Sequence, residues 1–125
     1  MGNATSLPFA DGAFDAVVAG EVIDHLTPSD VGRALAEFRR VLAPHGALLM
    51  TTPNPGSVKL KLSGGSILND HHLSTHSPKA LTKQLEDLGY VGVVISGSGR
   101  ATRRFGDRLP FLWIYGSYLV RAVSP

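Results

Sequence analysis

The residues best able to do chemistry in this chain fall in two places. Asp70, His71, His72 and His76 crowd one short stretch, and Glu21 and His25 stand four positions apart near the start. His72 and His76 have a spacing found in zinc sites, with Asp70 able to serve as a third ligand. A complete ligand set at known spacing is absent, and the chain has no cysteine to supply a thiolate. No metal is expected. The other chemistry open to an imidazole is proton abstraction, because its ordinary pKa lies close to neutrality. His71, His72 and His25 are the candidate bases, in that order. A plainer reading leaves the histidines of 70–76 ordering the segment that carries them. Arg100, Arg103, Arg104 and Arg108 form a basic group that could face phosphate or a membrane surface, or could simply be a solvated loop beside a sheet edge. No aromatic residues interleave with them as a nucleic-acid platform would require.

The elements that must position these groups are legible in the patterning. Phe14 to Ala19 is a short apolar run introduced around Asp15, apolar on both faces as a strand buried in a parallel sheet should be. Thr27 can cap a helix, Pro28 suits its first turn, and Asp30 stands three residues after the cap, close to a capping box. Val31, Leu35, Phe38 and Leu42 recur at helical spacing, with Arg33, Glu37 and Arg40 on the other side. Pro44 and Gly46 are expected to end this helix, and Ala47 to Thr52 reads as a second strand. Strand, helix and strand within about 40 residues make a βαβ unit with a right-handed crossover. Ser77-Pro78 repeats the cap-then-proline signal. Ala80, Leu81, Leu85 and Leu88 form the stripe of that second helix, and Gly89 stops it. Tyr90 to Ile95 and Ser117 to Val123 read as further strands, and the apolar run Pro110 to Tyr115 is expected to pack on the sheet.

Composition bounds the rest. A chain of 125 residues without an internal repeat or linker fits one domain. The net charge of +2 is unevenly placed: residues 1–50 carry three Lys/Arg against six Asp/Glu, and residues 51–125 carry nine against four. Nothing reads as a signal peptide, and no apolar run approaches the ~20 residues needed to cross a bilayer. A soluble cytoplasmic protein without membrane contact is expected.

Taken in order, LPFADGAFDAVV, GEVIDHL, the helix ending EFRRVLAPHG, and ALLMTTPNP resemble the C-terminal half of a small-molecule S-adenosylmethionine-dependent methyltransferase. The pattern is similar to the large Rossmann-like class, and within it to the quinone-biosynthesis methyltransferases. The resemblance covers roughly residues 2–88 well and 89–125 loosely. It implies an α/β fold whose sheet is truncated to the fourth to seventh strands, in spatial order 4-5-7-6, with the last strand antiparallel. It also implies one partial methyltransferase domain over 1–125, with a substrate-covering insertion at about 55–76.

The resemblance assigns roles residue by residue. Asn3 and Ala4 stand where the family's third strand ends and should meet the adenine ring, an amide offering both donor and acceptor to a purine edge; an ordinary turn asparagine is the alternative. Gly20 should touch the methionine part of the cofactor, with Glu21 beside it. His25 matches a histidine common in the family, where it either supports the loop or faces the substrate. His45 stands where the family has the first glycine of a Pro-Gly-Gly turn; histidine tolerates positive φ better than most residues. The first strand, its glycine-rich turn and the acid that holds the ribose belong upstream in the family and have no counterpart here, since neither Gly64-Gly65 nor Gly97-Ser98-Gly99 fits that fingerprint. The implied cofactor is S-adenosylmethionine and the implied acceptor a small molecule. Nucleic acid is disfavoured because the first strand ends in AGEV, not in the NPPY pattern of nucleic-acid amino methylation. The strand at 15–19 is expected to be an open edge, able to pair in a homodimer. The competing expectation is a non-catalytic remnant acting as a binding or oligomerisation module.

Overall fold

The structure, a computed structural model, describes residues 2–54, 74, 76–98 and 117–125. The helix expected after Thr27 forms over Pro28–Val41 (α1). The Thr27 hydroxyl oxygen accepts from the Asp30 N–H at 3.4 Å, and its own proton goes to Asp30 Oδ2 at 2.9 Å. The acid thus takes the cap's hydroxyl instead of reaching back to the Thr27 backbone, as it would in a capping box. Val31, Leu35 and Phe38 are buried as one stripe, and Leu42 continues it just past the helix end.

Among the described residues four strands form one sheet: β1 (Phe14–Gly20), β2 (Leu42–Pro53), β3 (Val91–Ser98) and β4 (Ser117–Val123). Their spatial order is β1-β2-β4-β3. β1 and β2 are parallel, while β4 runs antiparallel to both β2 and β3. The mixed α/β fold and the antiparallel last strand are as expected. The second helix, α2 (Pro78–Asp87), is capped by Ser77, whose Oγ accepts from the Ala80 N–H at 3.3 Å. It ends at Gly89, whose φ of +89° lies in the left-handed region.

Leu35 and Phe38 of α1, Leu81 and Leu85 of α2, and Leu48, Met50, Tyr118, Val120 and Ala122 of the sheet belong to one buried cluster. Both helices therefore lie on one face of the sheet. This corrects three expectations. β1 is not buried on both faces: Ala19 faces the core, but Val18, on the opposite face, is 75% exposed. No described helix covers that side. Ala80 is exposed, because the buried stripe of α2 is only as wide as Leu81 and Leu85 require, with Leu88 half-buried at its end. Helix α1 stops at Val41 rather than at Pro44, and β2 begins at Leu42.

The early start of β2 has a hydrogen-bonding cause. The His45 N–H donates to the Ser124 carbonyl and the Ser124 N–H to the Gly46 carbonyl, both at 2.9 Å, which draws 44–46 onto the sheet. The pairing slips there, from Phe14 opposite Leu42 to Ala16 opposite Ala47. His45 does adopt positive φ, +65°. A Cβ on Gly46 would stand 2.9 Å from the Ala43 carbonyl oxygen and 3.1 Å from that of Asp15, contacts that backbone cannot relieve.

The segment before β1 is held by one arginine and its two acidic partners. Arg40 donates to the carbonyls of Leu7 and Phe9 at 3.0 and 2.8 Å, to Asp11 at 2.7 Å, and to both oxygens of Glu37. Glu37 also accepts the Leu7 N–H at 2.7 Å. The Arg40 hydrogen bond, then the Leu7 one, lower the Glu37 carboxyl from 4.5 to about 2.

Two predictions follow from these contacts. Between pH 4.5 and 2 the unfolded chain protonates Glu37 before the folded chain does, so its contribution is full above pH 4.5 and is lost as pH falls toward 2. In urea unfolding, the stability advantage of wild type over Glu37→Gln should shrink across that window; an advantage constant with pH would count against the ion pair. Gly46→Ala should cost about 1–3 kcal/mol through overpacking, whereas His45→Gly next to it should cost nothing. Equal losses in thermal melts of the two variants would refute the steric account.

Candidate functional site

In an open α/β sheet, ligands bind outside the carboxyl ends of the parallel strands. Here that is where β1 ends at Gly20 and where β2 ends near Asn54. Gly20 is exposed, and among the described residues the nearest atom to where its Cβ would stand is Thr51 Oγ1, at 3.8 Å. Bare backbone at a strand end is what close approach by a ligand needs. Glu21 follows with φ of +51°, a left-handed conformation that costs a non-glycine residue free energy. It is held there by its N–H, which donates to both the carbonyl and the hydroxyl of Thr51, each at 3.1 Å. The sequence gives no sign of this strain. Strain held in place at a strand's carboxyl end is common where ligands bind.

Beyond Glu21 the chain makes a single 3-10 turn, Ile23–His25. Ile23 is buried and anchors the turn in the core. Asp24 is fully buried, at 0% exposed, and its Oδ2 lies 3.4 Å from Nε2 of His25, whose side chain is 46% exposed. Sequence reading passed over Asp24 because an acid in a loop is usually solvated. Its neighbours Ile23 and Val22 were the only hint of burial.

Residues far along the chain close over this turn. The Ser74 N–H donates to the Asp24 carbonyl at 3.2 Å, and the Ser74 hydroxyl donates to the Ile23 carbonyl at 3.0 Å. Ser74 Oγ also lies 3.0 Å from Nε2 of the buried His76. Burial holds the His76 imidazole below its ordinary pKa of 6.5, against the opposing pull of the Ile23 carbonyl and the Asp24 charge. His76 is thus a buried imidazole tied to the 3-10 turn through Ser74. At the end of β2, buried Asn54 accepts the hydroxyl proton of Tyr118 through Oδ1.

The sequence-derived candidates are distributed as follows. Gly20, Glu21 and His25 lie together at the carboxyl end of β1 and in the loop that leaves it. Asn3 sits in an exposed turn, where its Oδ1 accepts from the Thr5 N–H at 3.0 Å and the Thr5 hydroxyl at 2.9 Å. That side-chain oxygen is occupied, so a purine edge could be read only by the amide N–H groups. Ala4 beside it is half-buried and packs on the core. His71 and His72, the substrate-covering stretch before residue 74, and the four arginines lie outside the described residues. Among the described residues no group of three or more His, Asp or Glu side chains could hold a metal, and no helix is long and apolar enough to cross a membrane.

Clefts lined by the described residues include two beside the sheet. One of about 60 Å³, beside β1, is lined by Val18, Gly20, Leu49, Met50, Thr51 and Leu119. It is apolar and far smaller than a nucleoside, so it offers a rim and not an enclosure. The larger, of about 500 Å³, lies by Asp11, Gly12, Arg39, Arg40 and Pro44 at the amino ends of β1 and β2. That is the wrong end of a doubly wound sheet for its ligand.

This arrangement is that of a Rossmann-like α/β sheet, in which β1 ends on the side where such sheets bind ligands. Residues 1–50 match the profile of a family described as a methyltransferase domain. A probable S-adenosylmethionine-dependent methyltransferase of Mycobacterium tuberculosis is 35% identical over 97 residues, which are 76% of this chain and 33% of that protein. The glycine/sarcosine/dimethylglycine N-methyltransferase of Actinopolyspora halophila is 37% identical over 89 residues, 70% of this chain and 15% of that protein. A Thermotoga maritima crystal structure, described as a SAM-dependent methyltransferase and possible histamine N-methyltransferase, superposes with a TM-score of 0.73 at 18% identity, covering 99% of this chain and 62% of that one. At that identity the superposition speaks to the fold. Over residues 1–50 and in its fold the chain is thus similar to S-adenosylmethionine-dependent methyltransferases. It spans about a third of the length of the Mycobacterium relative.

The buried His76 gives this site a pH signature. Its neutral form is favoured by folding, so the unfolded chain takes the proton first; the contribution is full above pH 6.5 and falls as pH drops below it. His76→Gln should cost about 1–3 kcal/mol at pH 8 from the lost hydrogen bond and packing, and less at pH 5. Urea midpoints for both proteins at the two pH values measure this, and a cost that grows toward pH 5 would reverse the assignment.

Proposed function

We propose that the chain is part of an enzyme that transfers a methyl group from S-adenosylmethionine to a small-molecule acceptor. The carrying observation is that the methyltransferase match over residues 1–50 spans the β1 terminus, where bare Gly20, strained Glu21 and half-exposed His25 occur together. When bound, the cofactor supplies an electrophilic methyl on a sulfonium. The chain's residues bind, align and exclude water. Asn3, Ala4, Gly20 and Glu21 are the cofactor-side residues in this reading. The exposed strand end at Gly20 fits a backbone approach, and the N–H groups of Asn3 fit an adenine edge. At most one base is needed, with His71, His72 and His25 in that order.

In the same reading, residues 1–125 are one partial methyltransferase domain, cytoplasmic, with the stretch at about 55–76 covering the substrate. The acceptor is a small molecule and not nucleic acid. β1 bears on assembly. It has no described neighbour on its outer side, and Val18 on its open face is 75% exposed. Edges of this kind pair readily, so a homodimer through 15–19 is part of the proposal.

The test is calorimetric titration of the purified chain with S-adenosylmethionine and with its demethylated product, alongside sizing of the same sample. Micromolar binding is expected, with a mass above the monomer. Absence of binding by folded protein would assign the activity to a longer polypeptide and overturn it for this chain. With an acceptor in hand, His71→Ala, His72→Ala and His25→Ala test the base, and three unchanged rates would exclude all three.

A further inference from the structure

The function proposed above leaves the cleft of about 500 Å³ at the amino ends of β1 and β2 without a task. Arg39 and Arg40, in the last turn of α1, both border it. The Arg40 donors are engaged by Glu37, Asp11 and the carbonyls of Leu7 and Phe9. Those of Arg39 are not. Its Nε is buried without an acceptor, and no carboxylate among the described residues is paired with it. A cation near the carbonyl end of a helix is favoured, which accounts for the charge but not for a buried donor left unbonded.

Packing fixes this guanidinium in place. A Cβ on Gly89 would stand 3.2 Å from its Nε and Nη2 and 3.3 Å from Cζ, so one face of the group rests against that glycine. Gly89 already takes positive φ to end α2, and its bare backbone doubles as the seat for Arg39. Of the three Arg39 nitrogens only Nε is sealed from solvent, so Nη1 and Nη2 remain accessible. Asp11 is the acid that lines the cleft, and its Oδ1 is turned to Arg40 at 2.7 Å. Ser124 adds a hydroxyl to the lining, and Leu42 and Pro44 add apolar surface.

We propose that this cleft binds a small organic anion, with Nη1 and Nη2 of Arg39 gripping its phosphate or carboxylate group. Two parallel N–H donors in a rigid plane match two oxygens of either group, and a guanidinium already held in place loses little freedom on binding. The apolar wall at Leu42 and Pro44 takes the rest of the ligand. The cleft volume is that of an ordinary small-molecule site. It lies about 20 Å from Gly20, the length of a seven-residue strand. Its occupant therefore neither competes with a ligand at the carboxyl end of β1 nor depends on one, and the inference stands apart from the methyl-transfer reading.

The probes are phenyl phosphate and benzoate, titrated at constant ionic strength into the 15N-labelled chain, with sodium chloride as the control. The amide signals of Gly12 and Ser124 are followed by NMR. Saturable shifts at both amides, described by one dissociation constant, are expected for at least one probe, and the tighter probe identifies the group recognised. Arg39→Gln should weaken that binding by about tenfold, as loss of a charge-assisted hydrogen bond implies. Arg39→Lys, which keeps the charge and loses the fork, should weaken it as well. Shifts that grow without saturation, as with chloride, overturn the proposal, and so does an Arg39→Gln chain that binds as wild type does. Should Arg39→Gln fail to fold, Arg39→Lys decides, and binding equal to wild type overturns it. Saturable binding by a chain that calorimetry shows not to take S-adenosylmethionine upholds this site while removing the methyl-transfer reading for the chain.

Discussion

Leu48 and Met50 of β2 carry the burial on which the rest of the molecule depends. They lie in the middle of the sheet, one neighbouring strand parallel and the other antiparallel, and both helices press on the face they define. Burying an aliphatic side chain of this size contributes about 1.5–3 kcal/mol. The inward row of Leu48, Met50, Val120 and Ala122, with the helix leucines above it, therefore supplies most of what holds the described fold together. Because the helices share one face, the outward row, which includes Val18, Leu49 and Leu119, gains little. The consequence reaches the carboxyl end of β1. The β1 terminus is rigid where it rests on the core through Ala19 and Ile23 and open where it points away.

That openness is countered by polar contacts between residues distant in sequence. Thr51 holds the N–H of Glu21 from the neighbouring strand, and Ser74 holds two carbonyls of the 3-10 turn from beyond β2. Buried backbone groups left unpaired cost about as much as a lost hydrogen bond, so each such contact also fixes a loop that apolar burial alone would leave loose. The positive φ of Glu21 persists because Thr51 supplies two acceptors for one N–H. Arg40 plays the same part at the amino end, collecting Leu7, Phe9, Asp11 and Glu37 around one guanidinium, whose planar array of donors suits several acceptors at once.

Much of the architecture was legible because local signals agreed with one another. Thr27-Pro28 and Ser77-Pro78 each start a helix where the cap chemistry says so, and Gly89 takes the left-handed turn that a helix end requires. The strand order and the antiparallel last strand came from resemblance and match the fold. What was not legible depended on contacts across the sheet. The slip at Phe14 and the extension of β2 through Pro44 come from bonds to Ser124, which no local pattern announces. The exposed outer face of β1 was unreadable for a related reason. An apolar run such as AVVAG has the same composition whether one face is covered or two, and only the placement of both helices on one side decides. Asp24 was missed because its burial is imposed by Ser74 and His76, fifty residues away.

The same distinction limits what the likeness to methyltransferases implies. The fold and the match over residues 1–50 are properties of packed elements, and the sequence likeness extends to relatives that differ widely in length. Substrate choice is a property of loops and of the groups they hold over a strand end. In this chain the loop after β1 is among the best defined of these: its backbone is bonded to β2 and to the stretch before α2, and it presents one half-exposed imidazole above one buried carboxylate. Two chains that share the packed elements can therefore differ in what they bind through such a loop alone, a difference that the fold does not specify.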